Sequence, residues 1–377
     1  MRKERLPEIE LLRGMAFWAV VLQHVIAGVF YQPGLSGQTV LAGTTFLGLI
    51  RFAVPLFVFI TGVVLFYNYD GKLNYGSFLW KRFRQIVVPY LAWTVIYYIW
   101  MSVRSGGIVM SLSSLWNELV ELLRVSLTGQ ASYHLWFMVM IIPFYLLFPL
   151  FRLMLGKEKK LWVNLAVGVV FLGLALGLVY ALSKGWITSD NAFLNTTVIR
   201  YLDRNFLFWM FYFVMGGLVG LYYKQWKMIV SRIWWLCLIG LGVFMYIIYT
   251  RIEALTQSLT SDLYIYSSYV TAPLNLLMMG TILVSMVLVF AAAERLAEHT
   301  SWLTSLLTTF GRYSFGAYLI HAMVLSSTNY LAISYLGVLG VYGQTVVSFV
   351  LCAAVSLGVC VGLSKVKGVG EGLVGRV

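Results

Sequence analysis

The sequence predicts an all-α integral membrane protein, a bundle of about ten transmembrane helices with both termini on the cytosolic side. Three observations predict it. Of the 377 residues, 60% are hydrophobic and 11% charged, with a mean hydropathy of +0.85, whereas soluble domains run near 45–50% apolar and about 25% charged. The apolar residues form long continuous runs, where barrel strands would alternate over about ten residues. Basic residues collect on one side of those runs, as in polytopic chains that follow the positive-inside rule. Spans of about 20 residues use nearly all of the apolar content, which excludes a water-soluble enzyme on a tether. A single membrane domain over residues 1–377, with no fused soluble domain, is expected.

Helices are expected at 12–31, 43–67, 82–103, 134–155, 161–182, 204–223, 233–250, 270–292, 310–333 and 337–364. The first opens on EIELLRG and carries Arg13, Gln23 and His24; leading into further spans rather than a cleavage site, it reads as a signal anchor. The second contains RFAVPLFVFITG, whose Pro55 and Gly62 either break a helix beside a cavity or pack against a neighbour. The third opens on WKRFRQIVVPY, where Pro89 predicts a bent first turn under the cluster Lys81, Arg82, Arg84. The connection 104–133 contains SSLWNELVELLRVSL, with Leu115, Leu119, Leu122 and Leu123 on one face and Asn117, Glu118, Glu121 and Arg124 elsewhere, the pattern of a helix lying in the outer interface. The fourth helix begins at His134 in SYHLWFM, the sixth contains YFVMGGLVG, and the ninth carries GRYSFGAYLIHAM with His321 near its middle. The fifth, seventh, eighth and tenth are plain apolar runs. The segment TQSLTSDLYIYSSY at 256–269 is rich in hydroxyls and tyrosines, which suit a sugar surface or a bilayer interface. Cys237, Cys352 and Cys360 fall within helices, the last two on one helix and too far apart to bridge. No internal repeat is visible, which weakens a two-half transporter.

The net charge of +13 would suggest nucleic acid in a soluble protein; here its placement defines topology, and no nucleic-acid partner is expected. With the N-terminus inside, 20 of the 27 Lys and Arg face the cytosol with 8 of the 14 acids, leaving +12 inside and +1 outside. Arg312 counts among the inner charges and Arg51 among the outer ones.

Ionisable residues inside spans mark function by default. Arg13 and His24 are eleven residues apart, three helical turns plus roughly 20°, so they share a face about 16 Å apart along the axis. A guanidinium at the helix mouth holds phosphate, and an imidazole deep in the membrane removes a proton. Acyl-coenzyme A, with its phosphates at one end and a thioester on a long arm, has the matching shape. The plain alternative is a positive-inside anchor and a helix-packing histidine. Lys81, Arg82 and Arg84 suit phosphate or anionic lipid headgroups equally. His134 and His321 lie at or inside spans and His299 in a loop; none shows local metal-ligand spacing, and no metal is expected.

IELLRGMAFWAVVLQH, with its acid-x-Leu-Arg-Gly and Arg-x10-His, resembles the opening of the acyltransferase-3 family of bacterial integral-membrane acyltransferases. RFAVPLFVFITG, KRFRQIVVPY, YHLWFM, YFVMGGLVG and GRYSFGAYLIHAM resemble later motifs of that family in the same order, over residues 9–323. The resemblance implies a ten-helix enzyme of the bacterial cell membrane. It would move an acyl group, acetyl or another short group such as succinyl, from cytosolic acyl-CoA to a hydroxyl of an extracytoplasmic acceptor, most often a cell-surface glycan. It implies His24 as catalytic residue with Arg13 as motif partner, and Arg82 with Arg84, beside Lys81, as the basic group for the donor. His134 and His321 match motif histidines, and Tyr318 belongs to the last motif. One departure stands out: Gln85 occupies a position where relatives commonly carry arginine.

On this reading Glu10, three residues before Arg13, orients the guanidinium. The acceptor approaches from the outer leaflet past His134, Trp136 and segment 256–269. Acyl-CoA is a substrate and no cofactor stays bound; membrane lipids surround the protein. His24 acts either as general base or as acyl carrier. A single site requires His24 and His321 to be neighbours and a cavity to lead from the arginines towards His24. The competing readings are an exporter or flippase for a glycan or lipid-linked intermediate, and a structural or sensory membrane protein.

Overall fold

The computed structural model describes residues 6–30, 32–104, 112–197, 199–258 and 263–375. Among them there is no strand, and each of the ten expected intervals is occupied by helix. The first connections already depart from a simple bundle. Helix α1 (Pro7–Val29) starts on a proline whose missing N–H costs nothing there, followed by Glu8 and Glu10 at the positive end of the helix dipole. The expected second helix is two, α2 (Gly37–Ile50) and α3 (Ala53–Asn68), parted at Arg51 and Phe52. Pro55 is the reason: it cannot donate to the Arg51 carbonyl, and its ring clashes with that group in a continuous helix. The carbonyl of Ile50, freed at the break, accepts a hydrogen bond from Gln23 Nε2 at 2.5 Å.

Helix α4 (Tyr75–Arg82) is capped by the Asn74 side chain, continues through a π-helical turn at Phe83–Val87, and becomes α5 (Val88–Arg104). The widened turn precedes Pro89, so the expected bend is a π-bulge, a device frequent at functional sites. Helix α6 (Leu112–Thr128) exposes Leu115, Trp116, Leu119 and Leu123, as an interfacial helix should; residues 105–111 of that connection lie outside the described set. Arg124 binds Glu121 at 2.5 Å and holds its carboxyl below the usual range. The expected fourth helix is also broken: α7 (Trp136–Leu146) and α8 (Phe148–Met154) meet at 55°, between Pro143 and Pro149. Helix α9 (Leu161–Ser183) follows as expected. Short α10 (Ala192–Thr197) and two 3-10 turns lead into α11 (Met210–Leu221), and α12 (Tyr223–Ser258) runs 36 residues, about 54 Å, well beyond the 233–250 expected. After α13 (Leu263–Val270), α14 (Leu276–Ala297) begins later than expected because Pro273 and the cap Asn275 fix its start. Helix α15 (Trp302–Tyr335), α16 (Gly340–Ser364) and the short α17 (Gly370–Val374) complete the chain.

Among the described residues, seven helical stretches are long and apolar enough to cross a membrane, α2–α3 and α4–α5 each counting as one, or eight with the bent α7–α8 pair. The shortfall from ten has two sources: Phe206–Leu221 is short, and α15 dilutes its apolar run with polar residues, Arg312, Ser314, His321 and Asn329 among them. The protein is a multi-pass membrane protein whose core helix is α1, packed against α3, α14, α15 and α16. Glycines let backbones touch at the two tightest crossings. A Cβ on Gly311 of α15 would fall on the Glu10 carbonyl of α1, and one on Gly14 on the Leu307 carbonyl; Gly62, Gly216 and Gly220 do the same for α3 and α11. The chain closes on itself through α17, where Trp93 Nε1 donates to the Leu373 carbonyl at 2.8 Å. Gly375, at φ 72°, packs against the Gln85 carbonyl and Phe315.

Gly311→Ala should lower the unfolding temperature of the detergent-solubilised protein, since overpacking costs about 1–3 kcal/mol. Gly177→Ala, with open space around it, should leave it unchanged or raise it slightly; equal effects in thermal scans would contradict the crossing.

Candidate active site

The α1–α15 crossing determines which side chains meet one helical turn short of the end of α1. His24 stacks on His321 with ring centroids 5.4 Å apart at 29°, and His134, in the turn before α7, meets His321 edge-on at 4.7 Å. Two helices and a turn far apart in sequence thus bring their histidines into one cluster. His321 is fully buried, and its Nδ1 lies 2.5 Å from the Tyr318 carbonyl. Only an N–H can satisfy that oxygen, so Nε2 keeps a lone pair, and it has no partner among the described residues. His134 is 1% exposed, with Nδ1 3.0 Å from Ser132 Oγ and Nε2 without a hydrogen-bond partner among the described residues. His24 is half-buried and makes no hydrogen bond to a described residue.

Tyrosines fix this arrangement. Tyr97 Oη donates to the Leu319 carbonyl at 2.8 Å and accepts from the Met323 amide at 3.2 Å, so it takes both groups that a regular helix would join and splints α15 beside His321. The Tyr318 hydroxyl donates to the His134 carbonyl, and its ring lies 5.2 Å from His134 and 5.4 Å from His321. Among the described residues, no group of three His, Cys, Asp or Glu side chains is arranged to share a metal ion.

Two cavities adjoin the cluster. One, of about 180 Å³, is lined by His24, His134, Gln23, Arg51, Trp136 and Trp209, the two indoles 5.7 Å apart. The other, of about 230 Å³, lies toward the start of α1 and takes Arg13, Arg82, Gln85 and Arg312 from α1, α4, the π turn and α15. Phe137 and Tyr318 line both. Arg13 Nη1 donates to Glu10 at 3.2 Å, and the Arg82 guanidinium lies 5.4 Å from the rings of Phe78 and Tyr145. One cavity can hold a polyanion; the other offers imidazoles and flat aromatic faces.

The structure therefore brings His24, His134, Trp136 and Tyr318 to one cavity, places His321 directly behind it, and puts Arg13 and Arg82 at the other. Lys81 and Arg84 stay outside: both are exposed, and Arg84 lies 3.6 Å from Glu371. The side chains of a helix point in several directions, and only one of that trio faces the cavity. Of segment 256–269, residues 259–262 lie outside the described set; the neighbouring Pro273 and Leu274 reach the histidine cavity instead. Sequence reasoning misses Arg312 and Arg51. Both stand inside apolar runs, the signal that marks intramembrane function, and counting each as a topology charge conceals it. Trp209 and Tyr97 have no local signal at all.

A family model described as an acyltransferase domain matches residues 6–365. No match is found among curated proteins, and none among solved structures. The chain belongs to the acyltransferase-3 family, and the protein is a membrane acyltransferase.

Tyr318→Phe removes the hydroxyl that holds the His134 carbonyl. A lost hydrogen bond of about 1 kcal/mol should slow acyl transfer roughly fivefold, measured on purified protein that elutes and unfolds like wild type. An unchanged rate would remove Tyr318 from the positioning of the cluster.

Proposed function

We propose, taking membership of that family as premise, that the protein moves a short acyl group, acetyl or succinyl, from acyl-CoA to a hydroxyl of a cell-surface glycan. The observation that carries this reading is the pair of adjoining cavities, one rich in arginine and one in histidine, that share a wall. Arg13, Arg82 and Arg312 hold the phosphates of the donor, guanidinium being the side chain best matched to phosphate oxygens, and Glu10 positions Arg13. The arginine-lined face is the cytosolic one, where CoA is found; the excess of basic residues counted from the sequence supports that orientation, with both termini on the cytosolic side of a bacterial cell membrane. The acceptor enters the histidine cavity, where Trp136 and Trp209 give a sugar ring flat faces to lie on.

His24 is the proposed general base. It takes the proton of the acceptor hydroxyl as that oxygen attacks the thioester carbon; the C–O bond forms, the C–S bond breaks, and the proton leaves with the CoA sulfur. His321, its Nδ1 committed to a carbonyl, keeps an acceptor nitrogen within the cluster to steady the protonated His24 ring. Supporting this assignment, His24 is the least buried of the three imidazoles and lines the cavity itself.

Release of free CoA thiol by purified protein given acetyl-CoA or succinyl-CoA and a mixture of glycans tests the proposal. His24→Ala should abolish acceptor-dependent release, a loss of about 100-fold or more, while Glu10→Gln weakens it less. Arg312→Ala should raise the KM for donor about tenfold, as expected for one charged hydrogen-bond partner, and Lys81→Ala should not. Movement of unmodified glycan across vesicles, with neither donor consumed, would replace the transferase by an exporter.

A further inference from the structure

The arginine cavity and the histidine cavity meet at one pair of side chains. Phe137 and Tyr318 line both, and their rings pack edge-on at 5.6 Å. Arg13, Arg82 and Arg312 lie on one side of this pair, His24 and His134 on the other. The two rings are held differently. Tyr318 is pinned: its hydroxyl donates to the His134 carbonyl and its own carbonyl accepts from His321 Nδ1. Phe137 has no polar atom to tether it, stays half-buried, and leans on Phe57 at 6.0 Å and Trp136 at 6.5 Å. A thioester whose phosphates sit with the arginines must present its acyl carbon past this pair to reach His24.

We infer that Phe137, packed against the fixed Tyr318, is the movable half of a wall between the two cavities, and that its side chain sets the largest acyl group the enzyme transfers. This rests on the acyl-CoA reading above. A two- to four-carbon group passes when the phenyl ring turns about its side-chain bonds, whereas a longer chain needs the volume the ring occupies. The same ring keeps water in the acceptor cavity from the waiting thioester. Without it, water attacks the thioester carbon, the C–S bond breaks, and the proton leaves with the sulfur, giving free acid and CoA in the absence of acceptor.

Two measurements test this. The first compares acetyl-, succinyl- and hexanoyl-CoA with wild type, Phe137→Ala and Phe137→Leu. Hexanoyl transfer relative to acetyl should rise about tenfold or more in Phe137→Ala, the discrimination that a few methylenes carry in an apolar site. Phe137→Leu should fall between, and acceptor-independent hydrolysis should rise in the same order. The second needs no activity: Val54→Cys places a thiol in the histidine cavity, and a charged thiol reagent is applied to either face of oriented vesicles, with the modified cysteine mapped by mass spectrometry. Cys at position 54 should react only from the face opposite Arg82, and from both faces once Phe137→Ala is added. Reaction from both faces in the Val54→Cys protein alone would overturn the wall. Labelling and acyl ratio both unaltered by Phe137→Ala would overturn the role of Phe137. If wild type consumes no thioester, the acyl-CoA reading fails, and the labelling still decides whether the wall exists.

Discussion

Backbone contact between α1 and α15 is the constraint on which the site depends. Lipid is as apolar as a leucine side chain, so helices in a membrane gain little by hiding hydrophobic faces from it, and close approach of small residues supplies the attraction instead. Gly14 and Gly311 admit the facing carbonyls of Leu307 and Glu10. From that contact the two helices run on side by side as far as Gly28 and Asn329, so that Arg13 and Arg312 line one cavity while His24 and His321 stack farther along. A side chain at either glycine would move two arginines and two histidines together. The α3–α11 crossing, made by Gly62, Gly216 and Gly220, fixes the opposite wall in the same way and sets the position from which Phe57 supports Phe137.

Irregular backbone at this depth is tolerated only where protein side chains satisfy the groups it frees. Three such repairs surround the histidines. Gln23 takes the Ile50 carbonyl at the α2–α3 break, Tyr97 bridges the ladder of α15, and Tyr318 takes the carbonyl of His134. Leaving one such group unpaired costs about 1–3 kcal/mol, so these bonds hold the irregular segments in one arrangement. The imidazoles thereby receive fixed positions from bonds made by their neighbours, and of the three clustered rings only that of His24 makes no hydrogen bond to a described residue.

Much of this was legible in the residues, and the reasons differ from place to place. The Arg13–His24 face follows from helical periodicity, which is local, and the structure keeps it. The breaks near Pro55 and between Pro143 and Pro149 follow from proline chemistry, although a hydropathy window runs straight over them and joins each pair into one span. The nearness of His24 and His321 could be required of the mechanism but not read from spacing, because nearly the whole chain lies between them and a glycine crossing decides the outcome. Lys81 and Arg84 show the reverse error: a basic cluster in sequence spreads around a helix in space, while Arg312, alone in its run, turns inward.

Helix α17 braces the arginine cavity from outside. Gly375 packs against the Gln85 carbonyl and Phe315, two residues that line the arginine cavity, and α17 accepts a hydrogen bond from Trp93 of α5, so residues 370–375 stand behind the cavity wall. A substitution in α17 therefore reaches the arginines at second hand, by shifting the Gln85 backbone and the Phe315 ring rather than by entering the cavity.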